Sequence, residues 1–279
     1  MTFSCVAFAP RRTKYASRVE TNASRLNPPI PLVSVGAIHE SPVHKMPTIK
    51  AKLKRRNVMK IALDGPSGAG KSTLAKNIAK RLSIVYVDTG ALYRSIGLYV
   101  MRHGVDKDDT KKIIPMLKNI NLTITFIDGE QRVILNGEDV SGLIRTGEIA
   151  MYASAVSAIP EVRAFLLETQ RKIARENDVI MDGRDIGTVI LPDADVKIFL
   201  LASAEARAKR RYEELKEKGE ECTYEQVLSD ITKRDTNDST RKIAPAIPAP
   251  DAIFLDNSDF EPEDTLEAAL NIIKSKVGK

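Results

Sequence analysis

The feature that most constrains this chain is a glycine-rich stretch that begins at residue 65. It reads Gly65-Pro66-Ser67-Gly68-Ala69-Gly70-Lys71-Ser72 and fits the phosphate-binding pattern G-x-x-x-x-G-K-[ST] at every required position. The apolar run 59–63 before it predicts a buried strand, and the residues after it carry one apolar helix face. Strand, loop and helix in this order aim backbone N–H groups at phosphate oxygens. A nucleoside triphosphate is therefore the expected ligand.

Two side chains of this stretch have chemistry of their own. Lys71 is placed to reach the outer phosphates, and the hydroxyl of Ser72 is placed to hold Mg²⁺. An ordinary glycine-rich turn is the alternative interpretation. The two constrained final residues and the flanking elements favour the nucleotide site over that alternative.

Charge is distributed unevenly along the 279 residues. The formal net charge is +6, but residues 1–57 hold 11 Lys and Arg against 2 acidic residues. The remaining chain carries 32 Lys and Arg against 35 Asp and Glu, which gives −3. Because the basicity belongs to the N-terminal extension, no nucleic-acid partner is expected. The chain also has no apolar run long enough to span a membrane, so no membrane partner is expected.

The cysteines and histidines indicate neither metal nor disulfide chemistry. Cys5 and Cys222 lie far apart and form no disulfide or zinc pattern, which favours a reducing compartment. His39 and His44 fall in the extension, and His103 stands alone. Imidazole catalysis and a zinc site are therefore not indicated.

Residues 1–57 form a basic extension with two possible origins. They are Arg-rich and acid-poor like an organelle transit peptide, which would imply import. Alternatively they are upstream sequence read from a misplaced start, because Met59 sits directly before the first predicted strand. We favour the second origin and expect a disordered, dispensable segment and a cytoplasmic protein.

Short apolar runs alternating with helical patterns predict an α/β fold. Beyond the first strand, such runs occur at 84–87, 179–181, 196–201 and 252–255. They indicate a central five-stranded parallel sheet covered on both faces, in three α/β/α layers. The segment 121–135 alternates polar and apolar residues about a turn at Asp128-Gly129, which predicts a β-hairpin insertion.

Further motifs follow the glycine-rich loop in a fixed order. They are Asp88-Thr89-Gly90-Ala91-Leu92-Tyr93-Arg94, then Asp182-Gly183-Arg184-Asp185-Ile186-Gly187-Thr188, then Arg234, Asp238 and Arg241. Taken together, the chain from about Met59 onward resembles the bacterial cytidylate kinases. The hairpin insertion is also typical of these enzymes.

The resemblance implies transfer of the γ-phosphoryl group of ATP to CMP or dCMP. It implies a kinase domain at 58–279, with an acceptor-binding subdomain at about 90–165 and a helical lid at about 205–225. An acceptor phosphate is already an anionic nucleophile, so no general base is needed. Catalysis must then come from in-line alignment and charge neutralisation, which predicts lysine, arginines and Mg²⁺.

The resemblance assigns the donor end of the site. The residues implied to contact ATP are Gly65, Pro66, Ser67, Gly68, Ala69, Gly70, Lys71, Ser72, Thr73 and Arg211. Arg211 shares a charged helical face with Arg207 and Arg210, and Arg207 is the alternative for its role. Ser72 is the implied Mg²⁺ ligand, and Asp182 is a second candidate ligand. Without the resemblance, the charged lid residues could equally be solvated ion pairs.

The acceptor end is assigned in the same way. Lys71, Arg94, Arg184 and Asp185 are the implied catalytic residues. The implied CMP contacts are Thr89, Tyr93, Arg94, Ser154, Arg163, Arg184, Asp185, Arg234, Asp238 and Arg241. Ser154 and Arg163 are implied to read cytosine, and Thr89 keeps the hydroxyl of the serine often found there. From the residues alone, Arg94 could be a solvated helix arginine. Arg234, Asp238 and Arg241, which are spaced i, i+4, i+7, could form a stripe of surface ion pairs on one helix face.

Two other classes of function stay open at this level. One is a small kinase of the same loop type that acts on another nucleoside monophosphate or on a hydroxyl-bearing metabolite. The other is a nucleotide-dependent switch, although the guanine-specifying pattern N-K-x-D is missing from the sequence. The resemblance further implies a monomer.

Overall fold

The structure is a computed structural model that describes residues 58–278. The predictions for the extension 1–57 lie outside the described residues. The strands are β1 (Lys60–Asp64), β2 (Val85–Asp88), β3 (Leu122–Ile127), β4 (Glu130–Leu135), β5 (Glu138–Asp139), β6 (Val179–Gly183), β7 (Val196–Leu201) and β8 (Ile253–Asp256). The α-helices are α1 (Lys71–Leu82), α2 (Thr89–Arg102), α3 (Thr110–Met116), α4 (Gly147–Val156), α5 (Pro160–Glu176), α6 (Ala204–Glu217), α7 (Tyr224–Thr240) and α8 (Pro262–Val277).

Five of these strands form the predicted parallel sheet, in the order β2-β6-β1-β7-β8. Each pair is parallel, and Ile61 of the central strand faces Ile180 on one side and Val196 on the other. The five predicted runs agree with the observed strands to within two residues. Covered on both faces, these strands read as continuous apolar runs.

Alternate residues of β1 supply the two faces of the core. Ile61 and Leu63 pack with apolar residues of α1 and α8, whereas Ala62 packs with Met181 and with Ala174 of α5. All three β1 residues have no solvent exposure. The sheet therefore lies between two helical layers, and the predicted three-layer α/β fold is confirmed.

The predicted hairpin is present as part of a second sheet. β3 and β4 pair antiparallel, with Asp128 and Gly129 both at positive φ in the tight turn between them. The prediction missed β5, which pairs with β4 over two residues and is too short to show an alternating pattern. Val133 and Leu135 join a buried cluster that runs from Ala91 to Leu166. The division of the described chain into core, acceptor subdomain and lid stays a prediction.

Within residues 58–278, no helix taken alone has the length and apolar character needed to cross a membrane. Only α4 and α5 taken together reach that length and composition, and they are bent by 99° relative to each other.

Candidate active site

A cleft of about 880 Å³ lies where the main-sheet strands end at their carboxyl termini. This is the edge at which parallel α/β sheets bind ligands. The predicted site residues that line it are Ser67, Gly68, Gly70, Lys71, Ser72, Thr73, Thr89, Tyr93, Arg94, Ser154, Arg163, Asp182, Arg184, Asp185, Arg211, Arg234, Asp238 and Arg241. The other three, Gly65, Pro66 and Ala69, belong to the same glycine-rich loop. The fold thus brings the predicted set together.

The glycine-rich loop has a backbone that only glycine permits at its start. Gly65 has φ of 149°, and a Cβ there would lie 2.2 Å from the carbonyl oxygen of Leu200. At the other end, Gly70 is the left-handed N-cap of α1 and supplies no side chain to cap it. The first N–H groups of α1 therefore remain available to an anion, in the positive field of the helix terminus.

Lys71 is held inside this loop. Its side chain is buried, and Nζ donates a hydrogen bond of 2.5 Å to the carbonyl of Pro66. Burial lowers the pKa of Lys71 well below its usual value, and the nearby positive charge of Arg184 lowers it further. A bound polyphosphate would give this ammonium a negatively charged partner and so stabilise its charged form.

Two oxygen ligands suited to Mg²⁺ lie beside Lys71. The hydroxyl of Ser72 donates to Oδ2 of Asp182 at 2.8 Å, and the hydroxyl of Tyr86 donates to Oδ1 at 3.0 Å. Burial, with the negative charge of Asp88, raises the pKa of Asp182 to about 6. Residues 58–278 contain no cluster of three or more His, Cys, Asp or Glu side chains that could hold a metal alone. One carboxylate and one hydroxyl fit Mg²⁺, which takes its other ligands from water and substrate phosphates.

Elsewhere along the cleft wall, three predicted arginines are paired with carboxylates. Nη2 of Arg94 lies 2.7 Å from Oδ2 of Asp88, and Nε of Arg184 lies 2.9 Å from Oδ2 of Asp238. Arg163 forms a close ion pair with Asp185, and both side chains are over 90% buried. Such buried pairs need their partners, because removing one leaves an unpaired charge in a low dielectric.

The Arg163 pair is held by neighbours from several elements. Nη1 of Arg163 donates to the carbonyl of Ser157 at 3.1 Å, and its guanidinium lies 5.6 Å from the ring centroid of Tyr93. Burial raises the pKa of Tyr93 to about 12, so this phenol stays neutral at physiological pH. Ser154 also lines the cleft. Together the contacts of Arg163 fix its guanidinium in place in the cleft wall.

Thr89 has a hydrogen-bond partner within the protein. Its hydroxyl donates to the backbone carbonyl of Asp182 at 2.7 Å, and the residue is buried. A phosphate oxygen can only accept, so this proton would have to leave Asp182 before Thr89 could donate to a phosphate.

The predicted shared helix face of Arg234, Asp238 and Arg241 is only partly correct. Arg234 and Asp238 lie on α7, but Arg241 follows the helix with extended backbone, and its Nε donates to the carbonyl of Ala244 at 2.6 Å. Within the described residues, Nε of Arg94, Nε of Arg234 and Nη2 of Arg241 are buried nitrogen atoms without a hydrogen-bond partner. Burial lowers the pKa of both Arg234 and Arg241. The cleft therefore holds N–H groups ready for an anionic ligand.

The three arginines of the predicted lid differ from one another. Arg211 is 41% exposed, pairs with Glu214 at 2.8 Å and lines the cleft. Arg207 is buried and donates to the carbonyl of Ser67 at 2.9 Å, with Asp235 at 2.7 Å as its ion-pair partner. Arg207 therefore supports the glycine-rich loop. This structural contact differs from the contact with ATP that the sequence analysis considered for Arg207. Arg210 donates to the carbonyl of Asn257 at 2.6 Å.

Comparison with known proteins accounts for this combination of features. The sequence model of one family, described as cytidylate kinase, matches residues 61–275. The chain belongs to the cytidylate kinase family. Among its curated relatives, the cytidylate kinase of Caldicellulosiruptor saccharolyticus is 49% identical over 218 residues, which cover 78% of this chain and 96% of the relative. That of Caldanaerobacter subterraneus is 51% identical over 216 residues, covering 77% and 95%, and that of Klebsiella pneumoniae is 44% identical over 221, covering 79% and 97%.

Sequence reasoning missed two residues that support the site. Asp64 ends β1, and its carboxylate accepts the N–H groups of Ile186 and Gly187 at 2.8 and 2.7 Å, so it braces the turn after Asp185. Burial raises the pKa of Asp64 to about 6 despite these two bonds. Asn257, after β8, donates to the carbonyl of Ala69 at 3.2 Å. Both are polar residues at carboxyl ends of sheet strands, which is the signal that could have found them.

Proposed function

We propose that this protein transfers the γ-phosphoryl group of ATP to CMP or dCMP, giving ADP and CDP or dCDP. The observation that carries the proposal is that one cleft is lined both by a phosphate-binding loop containing Lys71 and by a buried Arg163–Asp185 pair. Membership in the cytidylate kinase family supports this reaction, since the family model matches residues 61–275 and so includes Lys71, Arg163 and Asp185.

In the proposed mechanism, the acceptor phosphate attacks the γ-phosphorus in line without a general base. Lys71 leaves the Pro66 carbonyl and donates to the β- and γ-phosphates, while Arg94 and Arg184 hold the acceptor phosphate. The buried setting strengthens each charge interaction, because little water screens it. These cations neutralise the charge that spreads over the transferred group.

Ser72 and Asp182 are the proposed Mg²⁺ ligands. They would hold the ion, whose positive charge would help to neutralise the polyphosphate of ATP. Ser72 is on the first turn of α1 and Asp182 is in the neighbouring strand β6, so the two oxygens are placed by rigid elements. Their existing 2.8 Å contact leaves both oxygens at one point on the cleft wall.

The remaining assignments describe how the acceptor nucleoside is read. Arg163, Ser154 and Asp185 are proposed to hydrogen-bond cytosine, which presents both donor and acceptor groups at its edge. Asp238 is proposed to contact the 2′-hydroxyl of the sugar where there is one, and Arg241 is proposed to face the phosphates and the base. Tyr93 and Thr89 shape the wall beside the acceptor phosphate, and Arg234 provides charge there.

The same proposal includes a monomeric, cytoplasmic enzyme without a nucleic-acid partner. It rests on the sequence, in which the chain beyond residue 57 carries a formal −3 and offers no net positive charge to a polyanion. Light scattering at assay concentration tests the monomer. Cell fractionation tests the compartment.

The test is acceptor profiling of the full chain with ATP and Mg²⁺, measuring ADP formation with CMP, dCMP, UMP, AMP, GMP or no acceptor. Strong dependence on CMP and dCMP is the expected result. Preference for another acceptor would retain the kinase and overturn the cytosine assignment of Arg163. Hydrolysis that is equal with and without acceptor would favour a nucleotide-dependent switch.

A further inference from the structure

Asp88 lies on the wall between two cavities. One is the active-site cleft, and the other is a cavity of about 740 Å³ bordered by α1, the end of β2 and the hairpin. Gln131 and Arg145 line the second cavity but not the active-site cleft. Asp88 therefore has neighbours on its far side that a nucleotide in the active-site cleft would not touch.

The Asp88 carboxylate is shared between two arginines from different parts of the fold. Oδ1 caps α2 by accepting the N–H of Ala91 at 2.9 Å, and Oδ2 lies 2.7 Å from Nη2 of Arg94 and 3.2 Å from Nη2 of Arg145. The Asp88 side chain is only 7% exposed, whereas that of Arg145 is 58% exposed. Gly90 makes room for the inner pair, because a Cβ there would lie 3.0 Å from Nη1 of Arg94.

The Asp88 backbone is bound by the hairpin. Oε1 of Gln131 accepts its N–H at 2.8 Å, and Nε2 donates to its carbonyl at 3.2 Å. β2 is an edge strand, so these groups have no neighbouring strand on that side. The amide of Gln131 thus takes the place of a strand and fixes where the Asp88 carboxylate stands.

We infer that Arg145 is a positioning residue for the acceptor phosphate and acts by compensating the charge of Asp88. The inference rests on the proposed function, in which Arg94 grips the acceptor phosphate. Arg94 is paired with the nearly buried carboxylate of Asp88. When the acceptor phosphate binds the guanidinium of Arg94, Asp88 loses part of its positive partner and also lies close to a second anion. Arg145, bound to the same oxygen from the other cavity, supplies that charge without touching the nucleotide.

A double-mutant cycle tests this role. In the otherwise unchanged protein, Arg145→Ala should raise the KM for CMP about fivefold, with the KM for ATP unchanged. In the background of Asp88→Asn, which keeps an N-capping side chain but removes the charge, Arg145→Ala should change the KM for CMP by less than about 1.5-fold. Arg145→Lys, which keeps the charge, should recover most of the loss.

Controls separate this role from loss of structure. Arg132→Ala removes a half-buried arginine of β4 that pairs with Glu130, not with Asp88, so it should leave the KM for CMP unchanged. The inference would be overturned if Arg145→Ala raised the KM for CMP equally in the Asp88→Asn background and in the otherwise unchanged protein. It would also be overturned if Arg145→Ala did not raise the KM for CMP in the otherwise unchanged protein. If acceptor profiling identifies a different monophosphate, the same cycle on that acceptor's KM tests the inference separately from the cytosine assignment.

Discussion

The donor and acceptor ends of the cleft are built in opposite ways. The donor end comes from one continuous stretch, 65–72, whose charge is supplied by Lys71 and by the backbone at the start of α1. The acceptor end is assembled from residues of β2, α2, α4, α5 and α7 and of the loop after β6, and its arginines 94, 163 and 184 are each bound to an aspartate. At the donor end the positive groups have no carboxylate partner in the loop, whereas at the acceptor end these three arginines already have one and only single N–H groups of Arg94, Arg234 and Arg241 are unpartnered within the described residues.

This difference teaches that the two substrates face different costs on binding. A polyphosphate meets unpaired N–H groups and displaces one lysine contact to a carbonyl. An acceptor nucleotide must share or take arginines from carboxylates that then need other partners. Acceptor binding should therefore be more sensitive than ATP binding to substitutions of residues that do not touch the substrate.

The largest effect is expected at the donor end. Lys71→Ala should lower kcat about 10³-fold, because no other residue of the loop 65–72 has a cationic side chain. Steady-state ADP formation measures it. Lys76→Ala, an exposed lysine on the same helix, serves as the matched control and should be unchanged. Turnover by the Lys71→Ala variant within tenfold of the unchanged protein would mean that the donor end does not depend on this residue.

At the acceptor end, Arg163→Ala should raise the KM for CMP about 50-fold while the KM for ATP stays constant. The substitution removes a buried cation and leaves Asp185 unpaired. Arg175→Ala on the same helix removes an exposed pair with Glu168 and should change neither KM. An equal rise in both KM values would indicate a general loss of structure instead of a cytosine contact.

The pH dependence should report on Asp182, whose pKa is raised to about 6 by burial. A raised carboxyl pKa means that the neutral form prevails below pH 6, and a neutral carboxyl is a poor Mg²⁺ ligand. At low Mg²⁺, kcat/KM for ATP should fall toward about tenfold per pH unit below that pKa. Raising Mg²⁺ should move the midpoint to lower pH, since the ion competes with the proton. A flat profile down to pH 5 at low Mg²⁺ would remove Asp182 from the metal site.

The smallest effect is expected at Arg211. Arg211→Ala should raise the KM for ATP about threefold, because this arginine is already solvated and paired with Glu214. The free energy of unfolding should change by less than about 0.5 kcal/mol. An unchanged KM for ATP would mean that another residue of the cleft, and not Arg211, contacts ATP.

Most of the fold and site features that could be predicted from the sequence are encoded in local sequence patterns. The strand, loop and helix around Lys71 are contiguous, so the donor end could be predicted residue by residue. The pairing of Arg184 with Asp238 and the contact of Gln131 with Asp88 join residues 54 and 43 positions apart, and no local periodicity encodes such contacts. The burial of Arg207 was missed for the same reason, because its partners Ser67 and Asp235 lie on other elements.

The most direct test of the contrast between the two ends is a crystal structure of the full chain with CMP bound. We expect Arg94 and Arg184 to donate to the acceptor phosphate and Arg163 to contact cytosine. The Arg94–Asp88 contact of 2.7 Å should lengthen while Arg145 stays bound to Asp88. A complex in which all three arginines keep their present aspartate partners unchanged, with the phosphate of CMP held by other residues, would contradict this expectation.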